Sequence, residues 1–247
     1  MVDPMHFEQH AEVYDRARPP YPDALWQRLR ELELLGPGVR VIEFGAGNGL
    51  ATGPMLGAGA HVTAVEPGAA LAERLRTRWP AAVVVRATAE TAALPPAAFY
   101  LAVAATAVHW FDLEVLLPRL HRALTPGGHF AVWRNAFGDP AVPRTPFRER
   151  VARIVARREP GAPQSRAGEF DTELWVDRMT RDGYFTVVLT DSFAWSITLD
   201  ADRIHDLFTT FSDWSAAEVD AAAEAVRELG GEVVEHYRTP LIVLRRA

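Results

Sequence analysis

Three glycines at alternate positions directly follow an apolar run that contains an acid. The run occupies residues 41–44, its acid is Glu43, and the glycines are Gly45, Gly47 and Gly49. Glycine adopts positive φ without steric cost and has no Cβ, so the backbone can turn sharply and a ligand can lie against it. Helix-forming sequence follows, and the free N–H groups of a helix N-terminus attract anionic or polar groups. The pattern predicts a strand, a turn and a helix that bind a nucleotide-type cofactor.

A second acid stands at the end of the next predicted strand. Glu66 follows a short apolar segment at residues 61–65 and lies 21 positions after Gly45. In a Rossmann-like sheet, an acid about 20 residues beyond the glycine turn can accept hydrogen bonds from ribose hydroxyls. The turn and the acid together favour a cofactor that carries a ribose.

The spacing of the glycines separates two classes of cofactor. The dinucleotide fingerprint G-x-G-x-x-G/A needs a small third residue, and Leu50 stands at that position. The pattern present is G-x-G-x-G, with Glu43 two residues before the first glycine. In this respect the chain resembles the class I S-adenosylmethionine-dependent methyltransferases, whose first motif has the form (D/E)-x-G-x-G-x-G. Residues 43–49 fit that motif at every fixed position.

Further segments resemble the same family over residues 7 to about 135. Residues 89–95 (AETAALP) resemble its AExLP element with one extra residue, and residues 124–128 (LTPGG) resemble the turn before its fifth strand. The HWFD sequence at residues 109–112 and the N-terminal pattern at residues 7–22 are typical of a bacterial subgroup, similar to methyltransferase type 11, that acts on small molecules.

The resemblance implies a set of cofactor contacts. Glu66 would hold the ribose, the loop at Thr88 would meet the adenine, and the N-terminal segment would fold over the cofactor. The family often has acids where this chain has Thr88 and Tyr100. The residues implied to bind S-adenosyl-L-methionine are Tyr14, Arg18, Glu43, Gly45, Ala46, Gly47, Glu66, Pro67, Thr88, Ala89, Glu90, Ala105 and Thr106. Arg18 would either bind the methionine carboxylate or hold its own segment through Asp15 or a backbone carbonyl.

Methyl transfer from a sulfonium is an in-line displacement, so the protein must mainly orient the nucleophile, exclude water and, where needed, remove a proton. His109 follows the fourth predicted strand and has an ordinary pKa near 6.5, which suits a base or a substrate-orienting group. The alternative is that His109 packs with Trp110 and Phe111 to shape the cofactor pocket. Asp112 is predicted to cap the next helix. No metal is required.

Aromatic residues are dense in the second half of the chain. They form either a core or an apolar substrate pocket, since aromatic rings give large contact areas and stack on rings and cations. The candidate pocket residues are His109, Trp110, Trp133, Phe137, Trp175 and Trp214.

Composition limits the possible partners. The chain has 247 residues, a net charge of −6 with dispersed basic residues, and no cysteine. Disulfides and cysteine metal sites are therefore excluded, and nucleic-acid binding is disfavoured. No signal peptide or membrane span is recognisable. We expect a cytoplasmic monomer or homodimer with a small-molecule substrate and no nucleic-acid or membrane partner, acting in secondary metabolite biosynthesis.

Strands that alternate with helices predict an α/β fold: a Rossmann-like, seven-stranded, mostly parallel sheet with helices on both faces and a small helical cap. We expect one methyltransferase domain over residues 1–247. Its parts would be a cofactor-binding core (36–135), an N-terminal helical lid (1–35) and substrate-facing cap segments (136–183 and 200–230).

The predicted function is methyl transfer from S-adenosylmethionine to an oxygen, nitrogen or activated carbon of a small organic molecule. One alternative is a protein that binds this cofactor without methyl transfer, or uses its sulfonium for another reaction. An NAD(P)-dependent oxidoreductase is disfavoured by Leu50 and by the missing Tyr-x-x-x-Lys dyad.

Overall fold

The computed structural model describes Val13 and residues 17–158, 171–211 and 213–247. Internal contacts divide the chain into two compact units. Unit 1 comprises Met1–Pro19, Ala136–Glu169 and Ala194–Arg238, and unit 2 comprises Pro20–Asn135, Phe170–Phe193 and Thr239–Ala247. That the chain forms a single methyltransferase domain with a lid and a cap stays a prediction.

The strands are β1 (Arg40–Phe44), β2 (His61–Val65), β3 (Val83–Val85), β4 (Phe99–Ala105), β5 (Leu124–Trp133), β6 (Ala136–Phe137), β7 (Phe185–Asp200) and β8 (Glu232–Arg246). The sheet of unit 2 has the order β3-β2-β1-β4-β5-β8, in which β1 to β5 are parallel and β8 is antiparallel to β5. This order, with crossovers on either side of β1, confirms the predicted Rossmann-like sheet. The carboxyl ends of β1, β2 and β4 therefore meet at one edge, where such sheets bind ligands.

The helices are α1 (Asp23–Glu31), α2 (Thr52–Gly57), α3 (Ala69–Arg78), α4 (Leu113–Ala123), α5 (Pro146–Val155), α6 (Thr172–Thr180), α7 (Ala201–Thr209) and α8 (Ala216–Glu228), with a 3₁₀ turn at Val108–Trp110.

Helices cover both faces of the sheet in unit 2. Successive residues of a strand point to opposite faces. Val41 accordingly packs in one apolar cluster with residues of α1, α2 and α3, whereas Ile42 and Phe44 pack in another with residues of α4 and α6. The two clusters hold β1 between them, which fixes the position of the turn that follows it.

Unit 1 has its own core. Phe147 of α5, Ile204 and Phe208 of α7 and Val226 of α8 pack together. Its helices have clear start signals: Ser215 and Glu218 form a reciprocal capping box at the start of α8. The first part of β8 pairs with β6 through Tyr237 and Arg238 in this unit.

The structure differs from the sequence prediction at three elements. Helix α6, which the sequence did not predict, lies in unit 2 and contributes Trp175 and Met179 to the same cluster as α4, so residues 171–183 belong with the sheet. The apolar pattern at residues 237–244 predicts the last strand there, whereas β8 already begins at Glu232, and the short β6 is an additional strand. Within the described residues, no helix is both long enough and apolar enough to cross a bilayer.

Candidate functional site

The glycine turn is anchored to the neighbouring strands. Gly45 and Gly47 have φ of 68° and 57°, a region that favours glycine. The N–H of Gly45 donates to the carbonyl of Val65, the last residue of β2, at 2.9 Å. A Cβ on Gly45 would lie 2.6 Å from the Cβ of Ala107. Both the backbone conformation and the lack of space therefore require glycine at the end of β1.

Glycine is required at the third position of the motif for a different reason. Gly49 has φ of 86°, and a Cβ there would lie 2.5 Å from Cδ1 of Trp79. A Cβ on Gly53, one turn along in α2, would lie 2.3 Å from Cζ2 of the same indole. The third glycine of the motif thus makes room for a half-buried tryptophan that packs against the core of unit 2.

Glu66 joins the two sequence motifs directly. Its Oε2 accepts the N–H of Gly47 and its Oε1 accepts the N–H of Gly68, each at 2.8 Å. The side chain is largely buried in the sheet edge. Pro67, which follows, is exposed, and Ala46 is buried within the turn.

Glu43 is a buried acid behind the turn. It is 1% exposed, and its Oε2 accepts the hydroxyl of Thr52 at 2.5 Å. Burial raises the pKa of Glu43 to about 8, the Thr52 hydrogen bond opposes this, and the charge of Glu66 adds to the rise. At neutral pH Glu43 is therefore mainly a neutral carboxylic acid that ties β1 to α2.

The carboxyl end of β4 carries a strained residue. Thr106 follows Ala105 and has φ of 57°, which is unusual for a β-branched side chain. Its N–H donates to the carbonyl of Trp133 at 2.7 Å, and its hydroxyl shares a hydrogen bond of 2.9 Å with the hydroxyl of Tyr21. Tyr21 was not predicted as a site residue, although it belongs to the N-terminal pattern at residues 7–22.

The HWFD segment forms the 3₁₀ turn and the start of α4. The rings of His109 and Trp110 lie 4.8 Å apart, and Trp110 is 38% exposed. Asp112 accepts the N–H groups of Glu114 and Val115, which confirms the predicted helix cap. The ring contact fits the packing alternative for His109, and its role as a base stays a prediction.

The predicted adenine loop is tied to its surroundings by side chains. The hydroxyls of Thr88 and Thr91 lie 3.0 Å apart, and Ala89 is buried. The carboxylate of Glu90 accepts the N–H of Asp112 at 2.9 Å. Glu90 therefore links this loop to the start of α4, a role that the sequence did not reveal.

Of the two cofactor contacts predicted in the N-terminal segment, only Arg18 lies within the described residues. Tyr14 lies outside the described residues. Arg18 belongs to unit 1, where its Nη2 donates to the carbonyl of Thr210 at 3.2 Å and its guanidinium carbon lies 5.1 Å from the centre of the Phe211 ring. The contact with a backbone carbonyl matches the alternative in which this arginine holds its own segment.

Four of the six candidate pocket residues have core partners. In unit 2, Trp133 meets Tyr21 and Trp26 edge to face at 5.8 and 5.6 Å, and Trp175 packs in the cluster with α4. In unit 1, both Phe137 and Trp214 contact Phe208, at 5.3 and 4.3 Å. For these four the structure favours the core interpretation, because each packs against other buried rings or apolar side chains. His109 and Trp110 lie just beyond the end of β4.

Unit 1 contains a buried ion pair. Arg148 Nε lies 2.9 Å from Glu235 Oε2, and the side chain of Glu235 is fully buried. Burial raises the pKa of Glu235 to about 7, although the charge of Arg148 opposes the rise. The Arg148 guanidinium also lies over the ring of Phe137, at 3.5 Å from its centre.

Comparison with known proteins gives consistent matches. A family model described as a methyltransferase domain matches residues 42–132. The chain is similar to an uncharacterized methyltransferase of Mycobacterium bovis, 28% identical over 208 residues that cover 84% of this chain and 77% of the relative. It is also similar to a trans-aconitate 2-methyltransferase of Paracidovorax citrulli, 33% identical over 138 residues, which cover 45% of this chain and 53% of that protein.

The fold also resembles a solved structure. A putative type II methyltransferase from Anaeromyxobacter dehalogenans aligns with a TM-score of 0.66 and 24% identity, over 93% of this chain and 97% of that one. The matched family model spans the glycine turn, Glu66 and the HWFD segment, which are the features that carried the sequence prediction. Residues 42–132 thus match a methyltransferase domain, and this match agrees with the resemblance to the class I S-adenosylmethionine-dependent methyltransferases.

Proposed function

We propose that this chain transfers a methyl group from S-adenosylmethionine to an oxygen, nitrogen or activated carbon of a small organic molecule. The observation that carries the proposal is the hydrogen bond of 2.8 Å between the Gly47 N–H and the Glu66 carboxylate. It brings the backbone of the glycine turn and a carboxylate to one point at the sheet edge. A ligand that has both an amino-acid part and a ribose fits these two groups.

The residues present suit the cofactor. The turn at Gly45 and Gly47 would hold the methionine half, Glu66 would accept the ribose hydroxyls, and the loop at Ala89 would face the adenine. When bound, the sulfonium supplies the methyl group and an excellent leaving group. The protein then has to orient the acceptor atom and exclude water. His109, just beyond β4, would orient the acceptor or receive its proton.

The acceptor is proposed to be a small organic molecule. The relative from Paracidovorax citrulli is named for a small-molecule acceptor, trans-aconitate. The net charge of −6 argues against a nucleic-acid acceptor, because proteins that act on a nucleic acid bind its phosphates through basic surfaces. A cytoplasmic location, a monomeric or homodimeric state and a place in secondary metabolite biosynthesis stay predictions.

Calorimetry with S-adenosylhomocysteine tests the cofactor site. We expect binding by the wild type and a loss of roughly 10–100-fold in affinity for Glu66→Ala, because hydrogen bonds to a charged group are removed. Glu66→Gln should bind with intermediate affinity, since one acceptor oxygen remains. Glu73→Ala removes a carboxylate on α3 that is 73% exposed and serves as the matched control. No heat with the wild type, or equal affinity for Glu66→Ala, would contradict the proposal.

Methyl transfer itself needs a second experiment. The protein is incubated with S-adenosylmethionine labelled in its methyl group and with a metabolite extract. A labelled small molecule that is absent without protein supports the proposed reaction. Binding of S-adenosylhomocysteine without any labelled product would favour the alternative of a cofactor-binding protein that does not methylate.

A further inference from the structure

Arg119 of α4 binds the backbone of the predicted adenine loop. Its Nη1 donates to the carbonyls of Ala89, at 3.2 Å, and of Glu90, and its Nη2 donates to the carbonyl of Ala92 at 2.5 Å. One guanidinium therefore holds three carbonyl groups of a four-residue stretch. Neither composition nor the family resemblance assigned a role to this arginine.

Within the part of the chain that the structure describes, few other contacts attach this loop to a neighbouring element. Its buried side chains, Ala89 and Ala92, are methyl groups with little apolar area to anchor a backbone. The N–H of Ala92 donates to the carbonyl of Thr88 at 3.0 Å, which closes the turn but does not attach it to a neighbouring element. The attachment comes from Arg119 and from the bond between Glu90 and the N–H of Asp112. Both contacts therefore attach the loop to α4 or to Asp112, the residue that caps it.

The direction of the carbonyls determines the direction of the loop's N–H groups. In a trans peptide the C=O and the N–H point to opposite sides. When the carbonyl of Ala89 faces Arg119, the N–H of Glu90 in the same peptide unit faces away from it. A planar guanidinium fixes several acceptors at once, because its donors form a rigid fork, whereas an ammonium is a single point charge.

We propose that Arg119 is a positioning residue that sets the enzyme's selectivity for the adenine base of its cofactor; this rests on the proposed function. By holding the carbonyls against α4, Arg119 aims a backbone N–H of the loop at the ring edge of the base. Adenine has an acceptor at N1, which pairs with an N–H donor. Hypoxanthine has a donor N1–H at the same position, which faces the loop donor without pairing. A site built to pair with one group discriminates strongly against the analogue that leaves a donor unpaired.

The test compares two ligands on folded protein. Calorimetry measures the affinities of S-adenosylhomocysteine and of S-inosylhomocysteine, which differ only in the base. We expect the wild type to favour the adenine ligand by about tenfold or more, as one hydrogen bond requires. In Arg119→Ala the affinity for the adenine ligand should fall until this ratio approaches one, while the affinity for the inosine ligand changes little. Arg119→Lys should restore part of the ratio.

A matched control lies three residues along the same helix. Arg122 is exposed, and no contact of its side chain is found among the described residues, so Arg122→Ala should keep the wild-type ratio. Equal losses for both ligands in Arg119→Ala would show a general structural role and overturn the proposal, as would an unchanged ratio or a wild type that does not discriminate. If Arg119→Ala does not fold, the ratio in Arg119→Lys decides by the same criteria. No binding of either ligand by the wild type would instead contradict the proposed function.

Discussion

At the scale of single residues, Glu43 and Glu66 make different contacts, and their spacing in the sequence does not show this difference. Glu66 accepts two backbone N–H groups beside the turn, whereas Glu43 is buried behind it and bonds to Thr52. The spacing from Gly45 located Glu66 correctly at the end of β2, because a strand of fixed rise and a crossover of usual length put it there. The neutral state of Glu43 follows from burial by distant segments, so no local pattern could reveal it.

Glu43→Gln tests the protonation of the buried acid. The pKa of Glu43 is about 8 in the folded protein and 4.5 ordinarily, so the folded state holds an extra proton between these values. Stability is then fully present below the unfolded pKa and is lost as the pH rises through the folded pKa. Gln cannot ionise, so we expect the Tm of the variant relative to wild type to increase from about pH 5 to about pH 9, by about 2–4 °C for each kcal/mol. Glu73→Gln, an exposed change, should show no such trend, and a constant difference for Glu43→Gln would contradict the assignment.

Gly49→Ala tests whether the third glycine of the motif is required by Trp79. Gly127 also has positive φ, 75°, but a Cβ there would have nothing within 4 Å. Gly127→Ala should therefore cost only the backbone strain, about 1–2 kcal/mol. Gly49→Ala adds the overlap with the indole, and we expect it to cost about 1–3 kcal/mol more. Urea denaturation measures both, and equal costs would show that Trp79 moves aside freely.

At the scale of elements, the helices and strands of the cofactor half were predictable because their signals are local. The apolar run at residues 41–44 predicted β1, the segment at residues 61–65 predicted β2, and Asp112 predicted the start of α4. Helix α6 was missed because it is only nine residues long and a proline-containing stretch precedes it. Asp171, which caps it, and Gly183 beyond its end were the signals that could have revealed it.

Trp175→Ala tests the place of α6 in the core of unit 2. Trp175 packs in the cluster that contains α4, so its truncation should cost about 3–5 kcal/mol. Leu174, the preceding residue, is 40% exposed, and Leu174→Ala should stay within about 0.5–1 kcal/mol. Urea denaturation followed by tryptophan fluorescence and circular dichroism gives both values. A small cost for Trp175→Ala, together with a large loss of methyl-transfer activity, would instead support the substrate-pocket alternative.

At the scale of the whole molecule, the sequence predicted the positions of the glycine turn and of Glu66 but not the contacts that hold the neighbouring segments. Glycine spacing and strand-end acids follow from the sheet order, which the alternation of elements already indicates. The hydrogen bond between the hydroxyls of Tyr21 and Thr106 joins segments that are 85 residues apart in the chain. The contacts of Arg119 join segments that are about 30 residues apart. Such pairs depend on how remote segments pack, which one sequence without relatives does not reveal.

Strand β8 is synthesised long after β5, the strand with which it pairs, and this order affects folding during translation. Strand β5 pairs with β4 on one side and, on the other, with residues 241–245, more than 100 positions downstream. At the usual translation rate of about 5–20 residues per second, the ribosome leaves that edge bare for roughly 5–20 seconds. An uncovered parallel sheet edge invites pairing with other nascent chains. Producing this protein at low temperature or with chaperones that shield bare strands should therefore improve its yield.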